Sequence, residues 1–203
     1  MSEAIPSLVV RRLPPFPLLS VASPFPRADV IPYCPNHPGP RPTTAAADTR
    51  AEAEALLAAG VQLVRVSGVK AAGELTALLA GLPPERLALE FDRDVGEGDV
   101  PFAADIAVGT VMVPTPVTDL AALAVLKALP VERRLAVRVR PSPDMIEEVM
   151  RAIELFGVDR LIFWTDSADA GELAALADAG RHIRKLFGIP QQAEETTYGG
   201  GDS

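Results

Sequence analysis

One junction recurs along this chain and limits what it can fold into. Residues 82–91 read LPPERLALEF, residues 129–139 read LPVERRLAVRV and residues 156–164 read FGVDRLIFW, with AAGVQLVRV at 58–66 a looser fourth copy. Each copy joins the end of a helical pattern to a Pro or Gly break, a charged turn and a short apolar run. Proline removes a backbone donor and clashes with the preceding turn, and glycine readily adopts the left-handed conformation that ends a helix. The chain is therefore expected to be a string of helix-to-strand units.

Strands alternating with helices imply parallel strands joined by right-handed crossovers. Expected strands lie at 61–67, 86–92, 105–113, 134–140 and 160–165. Helices are expected at 49–59, 71–81, 118–128, 142–156 and 168–187. Thr49 and Glu52 have capping-box spacing, and Gly60 ends that helix. Thr118 reads as an N-cap, and Ser142-Pro143-Asp144 as a cap followed by proline and an acid in the first turn. Residues 93–103 hold two glycines, a proline and three acids, and read as a loop where a helix was due. VQLVRVSGVKAAGELTAL at 61–78 aligns without gaps to DRLIFWTDSADAGELAAL at 159–176, which adds support for βα repetition.

The first 44 residues differ. Eleven of the twenty prolines lie there, which excludes long helices and central strands. Short strands remain possible at 7–11 and 17–22, and 23–44 reads as a long loop. Residues 190–203 are polar and glycine-rich and read as a disordered acidic tail. Three regions follow: a Pro-rich segment at 1–44, a repeat domain at 45–189 and the tail.

Two folds compete, a reduced or irregular (β/α) barrel and an open doubly wound parallel sheet. A central strand of a doubly wound sheet is covered on both faces and should be apolar throughout. Here Leu87, Leu89 and Phe91 oppose Arg86, Ala88, Glu90 and Asp92. Likewise Leu135, Val137 and Val139 oppose Arg134, Ala136, Arg138 and Arg140. One face suits helices and the other is small or charged, which favours the barrel. Five units after residue 60 fall short of the roughly 250 residues of a full eight-unit barrel.

SPDMIEEVMRAIELFGVDRLIFW at 142–164, with the length and unit order, resembles the penultimate helix and following strand of small 2-keto-3-deoxy-6-phosphogluconate-type aldolase barrels. That resemblance implies a Schiff-base lysine on the strand. DRLIFW carries none; the lysines are Lys70, Lys127 and Lys185. GVDRLIFWTDSADAGELAALA is also similar to the C-terminal part of flavin-dependent luciferase-like monooxygenase barrels, which implies a flavin or deazaflavin oxidoreductase. Neither resemblance includes a catalytic residue of this chain.

In a barrel, Arg65, Glu90, Asp92, Arg138 and Arg140 would converge toward the C-terminal ends of the strands, where barrel active sites lie. Arg65, Arg138 and Arg140 would hold an anion through forked charge-assisted bonds, and Glu90 or Asp92 would move a proton or ligate a metal. A mutually paired interior predicts the same mixture of signs, because an unpaired buried charge is costly. Ser67 and Lys70 in SGVK, and Thr165 and Ser167 in TDS, would offer further anion contacts; ordinary helix capping uses the same residue types.

Cys34 and His37 in YCPNHP lack a second ligand pair and read first as loop, and His182 reads as surface. A single cysteine excludes an internal disulfide, and the net charge of −8 argues against a nucleic-acid partner. No apolar run reaches the roughly 20 residues that span a bilayer, and prolines 14, 15 and 17 interrupt the candidate export signal. A cytoplasmic protein is expected. The sequence specifies no cofactor and no metal. The expected partner is a small carboxylated or phosphorylated metabolite, in a lyase- or isomerase-like reaction. A non-catalytic barrel that binds a protein partner or a second copy is the alternative.

Overall fold

The computed structural model describes residues 18–20, 44–140, 142–157, 160–165 and 169–187. Seven strands form one sheet: β1 (Leu18–Ser20), β2 (Thr44–Ala46), β3 (Leu63–Ser67), β4 (Leu87–Glu90), β5 (Thr110–Pro116), β6 (Arg134–Arg138) and β7 (Leu161–Trp164). The helices between and after the parallel strands are α1 (Arg50–Ala58), α2 (Ala72–Leu79), α3 (Val100–Asp105), α4 (Leu120–Ala124), α5 (Met145–Phe156) and α6 (Ala170–Leu186).

Strands β2 to β7 are all parallel and lie side by side in chain order. The short β1 runs antiparallel along the outer edge of β7. A doubly wound sheet must reverse its strand order part-way. This one never does, so successive right-handed crossovers bring every helix to the same face. The result is a curled, six-stranded parallel sheet, a half-barrel, with β1 and β2 at its edges.

The period-2 alternation assigns the two faces. Val64, Val66, Leu87, Leu89, Val111, Leu135, Val137, Leu161 and Phe163 meet the helices in the larger core. Leu63, Ala88, Met112, Ala136, Ile162 and Trp164 form a second buried cluster on the inner face. Arg65 and Glu90 share that inner parity. Helix α5 buries Val149 and Ile153, and α6 buries Leu176, Ala179 and Ile183; Phe187, just past the end of α6, is exposed.

At the N-terminal end of the sheet, the recurring junction binds the repeats to one another. Arg160 donates from Nε to the Arg133 carbonyl at 2.9 Å, and from Nη2 to those of Leu129 at 2.9 Å and Pro130 at 3.1 Å. Arg134 reaches the Glu85 carbonyl at 2.7 Å, and Arg86 reaches those of Leu57 and Val61. Each junction arginine thus clamps carbonyls of the preceding copy. Leu57 lies in the last turn of α1, and its carbonyl also accepts from the Gly60 N–H at 3.1 Å. Burial pushes the Arg134 and Arg160 guanidinium pKa values down, mainly by desolvation, while nearby Glu85 and Glu132 respectively pull them back up.

The junction before β5 uses glycine instead. Gly109 donates to the carbonyls of Pro84 and Leu87, and Arg134 donates its backbone N–H to the Gly109 carbonyl. A Cβ at Gly109 would lie 2.8 Å from the Pro84 oxygen and 2.9 Å from Glu85 Cα. Only glycine lets these backbones meet so closely.

Several local expectations are corrected. Strand β2 arises just where a loop was expected to end; it is held by pairing to β3 and by burial of Thr44 and Ala45. Residues 93–103 are not wholly loop: a 3₁₀ turn at Glu97–Asp99 leads into α3, with Pro101 in the first turn, where its missing N–H costs no bond. Burial of Val100 and Ala103 supplies what the composition did not signal. Strand β5 therefore begins at Thr110 and not at 105. Asp119, not Thr118, caps α4 by accepting from the Ala122 N–H, and the helix gives way to a 3₁₀ turn at Val125–Ala128. Helix α5 starts at Met145 with Asp144 as N-cap; Ser142 contributes only its carbonyl, to the Met145 N–H.

The Thr49–Glu52 capping box is present, and Gly60 follows α1 with φ 87°. The expected strand at 7–11, most of the loop at 23–44, Cys34, His37, Ser167 and the tail at 190–203 lie outside the described residues. Among the described residues no helix is long and apolar enough to cross a membrane.

Candidate functional site

The C-terminal ends of β3 and β4 place Ser67 beside Glu90 in register, one residue pair beyond Val66 and Leu89. Two residues back on β3, Arg65 points to the inner face. Its Nη1 donates to Glu90 Oε1 at 2.7 Å and its Nε to the Thr44 hydroxyl at 3.1 Å. The Arg65 side chain is 4% exposed and that of Glu90 27%. Desolvation pushes the Arg65 pKa down, and the Glu90 carboxylate pulls it back up by charge and by hydrogen bond. The buried cation is held between an edge-strand hydroxyl and a carboxylate that still meets solvent.

Three strands span the gap from Glu90 to Arg138. Glu90 pairs with Met112, while Arg138 on β6 pairs with Pro116 and with Trp164. At about 4.8 Å per strand, β4 and β6 are roughly 10 Å apart, within the combined reach of a glutamate and an arginine. Arg138 is half-buried and Arg140, two residues on, is exposed. Thr165, just past β7, is fully buried.

The remaining expected residues are dispersed. Asp92 is exposed beyond the end of β4. Lys70 pairs at 3.2 Å with Glu74 in α2's first turn. The Ser67 hydroxyl accepts from the Val69 N–H at 3.4 Å, closing the turn into α2. Gly68 packs against this corner and donates its N–H to the Glu90 carbonyl at 2.7 Å.

Three participants escaped the sequence reading. Thr44, which fixes Arg65, sits on a strand that nothing in the sequence announced. Trp164 donates its indole N–H to the Val113 carbonyl at 3.1 Å, crossing β6. That carbonyl lies in an irregularity of β5: Met112 pairs with Ala136 but the next pair is Pro116 with Arg138, so β5 carries two extra residues. Pro114 lies in the bulge and has no N–H to give the ladder. Parity with Ile162 could have placed Trp164 inside. Thr115, also in the bulge, donates to Asp94 at 2.6 Å, and Arg93 forks onto both Asp99 oxygens at 2.7 and 2.8 Å. These bonds fasten the loop after β4 to the rim.

Beneath the rim the inner face is closed: Leu63, Ala88, Met112, Ala136 and Ile162 are at most 1% exposed. A ligand would therefore rest on the strand ends and their loops. One oxygen of Glu90 is fixed by Arg65, and the partly exposed carboxylate can accept a proton from a molecule at the rim, where Arg138 and Arg140 supply positive charge. Among the described residues no group of three or more His, Cys, Asp or Glu side chains is placed to hold a metal ion. No family model matches the chain, and no curated protein matches it.

Proposed function

We propose that this chain is a reduced (β/α)-barrel enzyme whose rim binds a small carboxylated or phosphorylated metabolite and performs lyase- or isomerase-like proton transfer. The observation that carries the proposal is the Arg65–Glu90 arrangement: a buried guanidinium orients a carboxylate that remains 27% exposed at the C-terminal end of β4. In this reading Glu90 exchanges the proton, Arg65 positions it, and Arg138 and Arg140 hold the anion through charge-assisted bonds. Ser67 and Asp92, at and just beyond the ends of β3 and β4, flank this site, and Thr165 is buried behind it.

A second reading has its own support. Arg65 is engaged by both Thr44 and Glu90, as a purely structural ion pair would be. A non-catalytic half-barrel that presents its rim or edges to a protein partner is consistent with that bonding.

A thermal-shift screen of the purified chain against phosphorylated and carboxylated metabolites separates the two. A ligand at 100 times its dissociation constant stabilises by about 2.7 kcal/mol. The enzyme reading expects a shift that Arg138→Ala abolishes, followed by turnover of the ligand found, which Glu90→Gln removes. No shift with any of these anions in a well-folded protein rejects it in favour of the partner-binding reading.

A further inference from the structure

We draw no further inference here: the strongest candidate, the apolar inner face of the half-barrel formed by Leu63, Met112, Ile162 and Trp164, is buried, and nothing in the structure shows what covers it.

Discussion

Removing Glu90 leaves a buried cation behind, and the cost of that is open to measurement. Two unit charges about 4 Å apart attract by about 4 kcal/mol at an effective dielectric constant of 20, before desolvation is counted. Breaking a fully buried pair costs about 3–5 kcal/mol, because one charge is left without compensation. Glu90 is 27% exposed, so water can partly replace it beside Arg65. Glu90→Ala should therefore cost about 2–3 kcal/mol, or about 5–10 °C in melting temperature for a chain of this size. Glu90→Gln keeps an acceptor for Arg65 Nη1 and should lose only about 1 kcal/mol, the charge assistance of the bond. Arg65→Met removes the buried cation itself and leaves Glu90 to solvent. The double variant Arg65→Met with Glu90→Ala should then be more stable than Glu90→Ala alone. Urea unfolding of the parent and the four variants, with unchanged slopes, measures this directly. Additive losses, with the double variant the least stable, would refute the claim that a stranded cation sets the cost.

Two further perturbations test other parts of the structure. Arg160→Ala removes three bonds to the carbonyls of residues 129, 130 and 133 and should cost about 1.5–3 kcal/mol, while Arg151→Ala, which breaks only an exposed pair with Glu147, should stay within about 0.5 kcal/mol in the same unfolding assay. The hydrogen bond from Arg93, and then that from the Gly96 N–H, hold Asp99 down at a pKa of about 2, below its unfolded value, so its contribution is present above about pH 4 and is lost as pH falls toward 2. Arg93→Ala should accordingly lower stability slightly at pH 7, as for an exposed pair, and the gap to the parent protein should narrow between pH 4 and 2. A gap that holds constant across that range would show the pair contributes nothing through ionisation.

The repeat was legible because its determinants are local. Pro83, Pro130 and Gly157 stop helices, and the alternation of Leu87, Leu89, Leu135 and Val137 with Ala88, Glu90, Ala136 and Arg138 separates two faces from sequence alone. The same alternation placed Arg65 and Glu90 on one face, where they bond. What stayed hidden depends on distant partners. Thr44–Ala46 is a strand only because β3 lies beside it, and α3 exists because Val100 and Ala103 find a core to enter. The β5 bulge inserts two residues between Met112 and Pro116 and breaks the ladder there, so no reading of TVMVPTP could aim Thr115 at Asp94 or the Val113 carbonyl at Trp164. Charge type could not reveal that Lys70 would turn to Glu74 or that Asp92 would stand in solvent. The junction arginines were visible as a repeat, but the sequence did not show that they bond backward, copy to copy.

On the proposed function the two ends of the strands have separate tasks: the arginine clamps hold the N-terminal end, and the rim at the C-terminal end would bind an anion. The most direct test is amide chemical-shift mapping of the labelled chain, titrated with inorganic phosphate and then citrate. The account predicts perturbations at the amides of Gly68, Phe91–Asp94, Val139–Arg140 and Thr165, saturating with concentration and absent in Arg138→Ala. Perturbations centred on Arg86, Arg133 and Arg160, or none at any concentration, would contradict it.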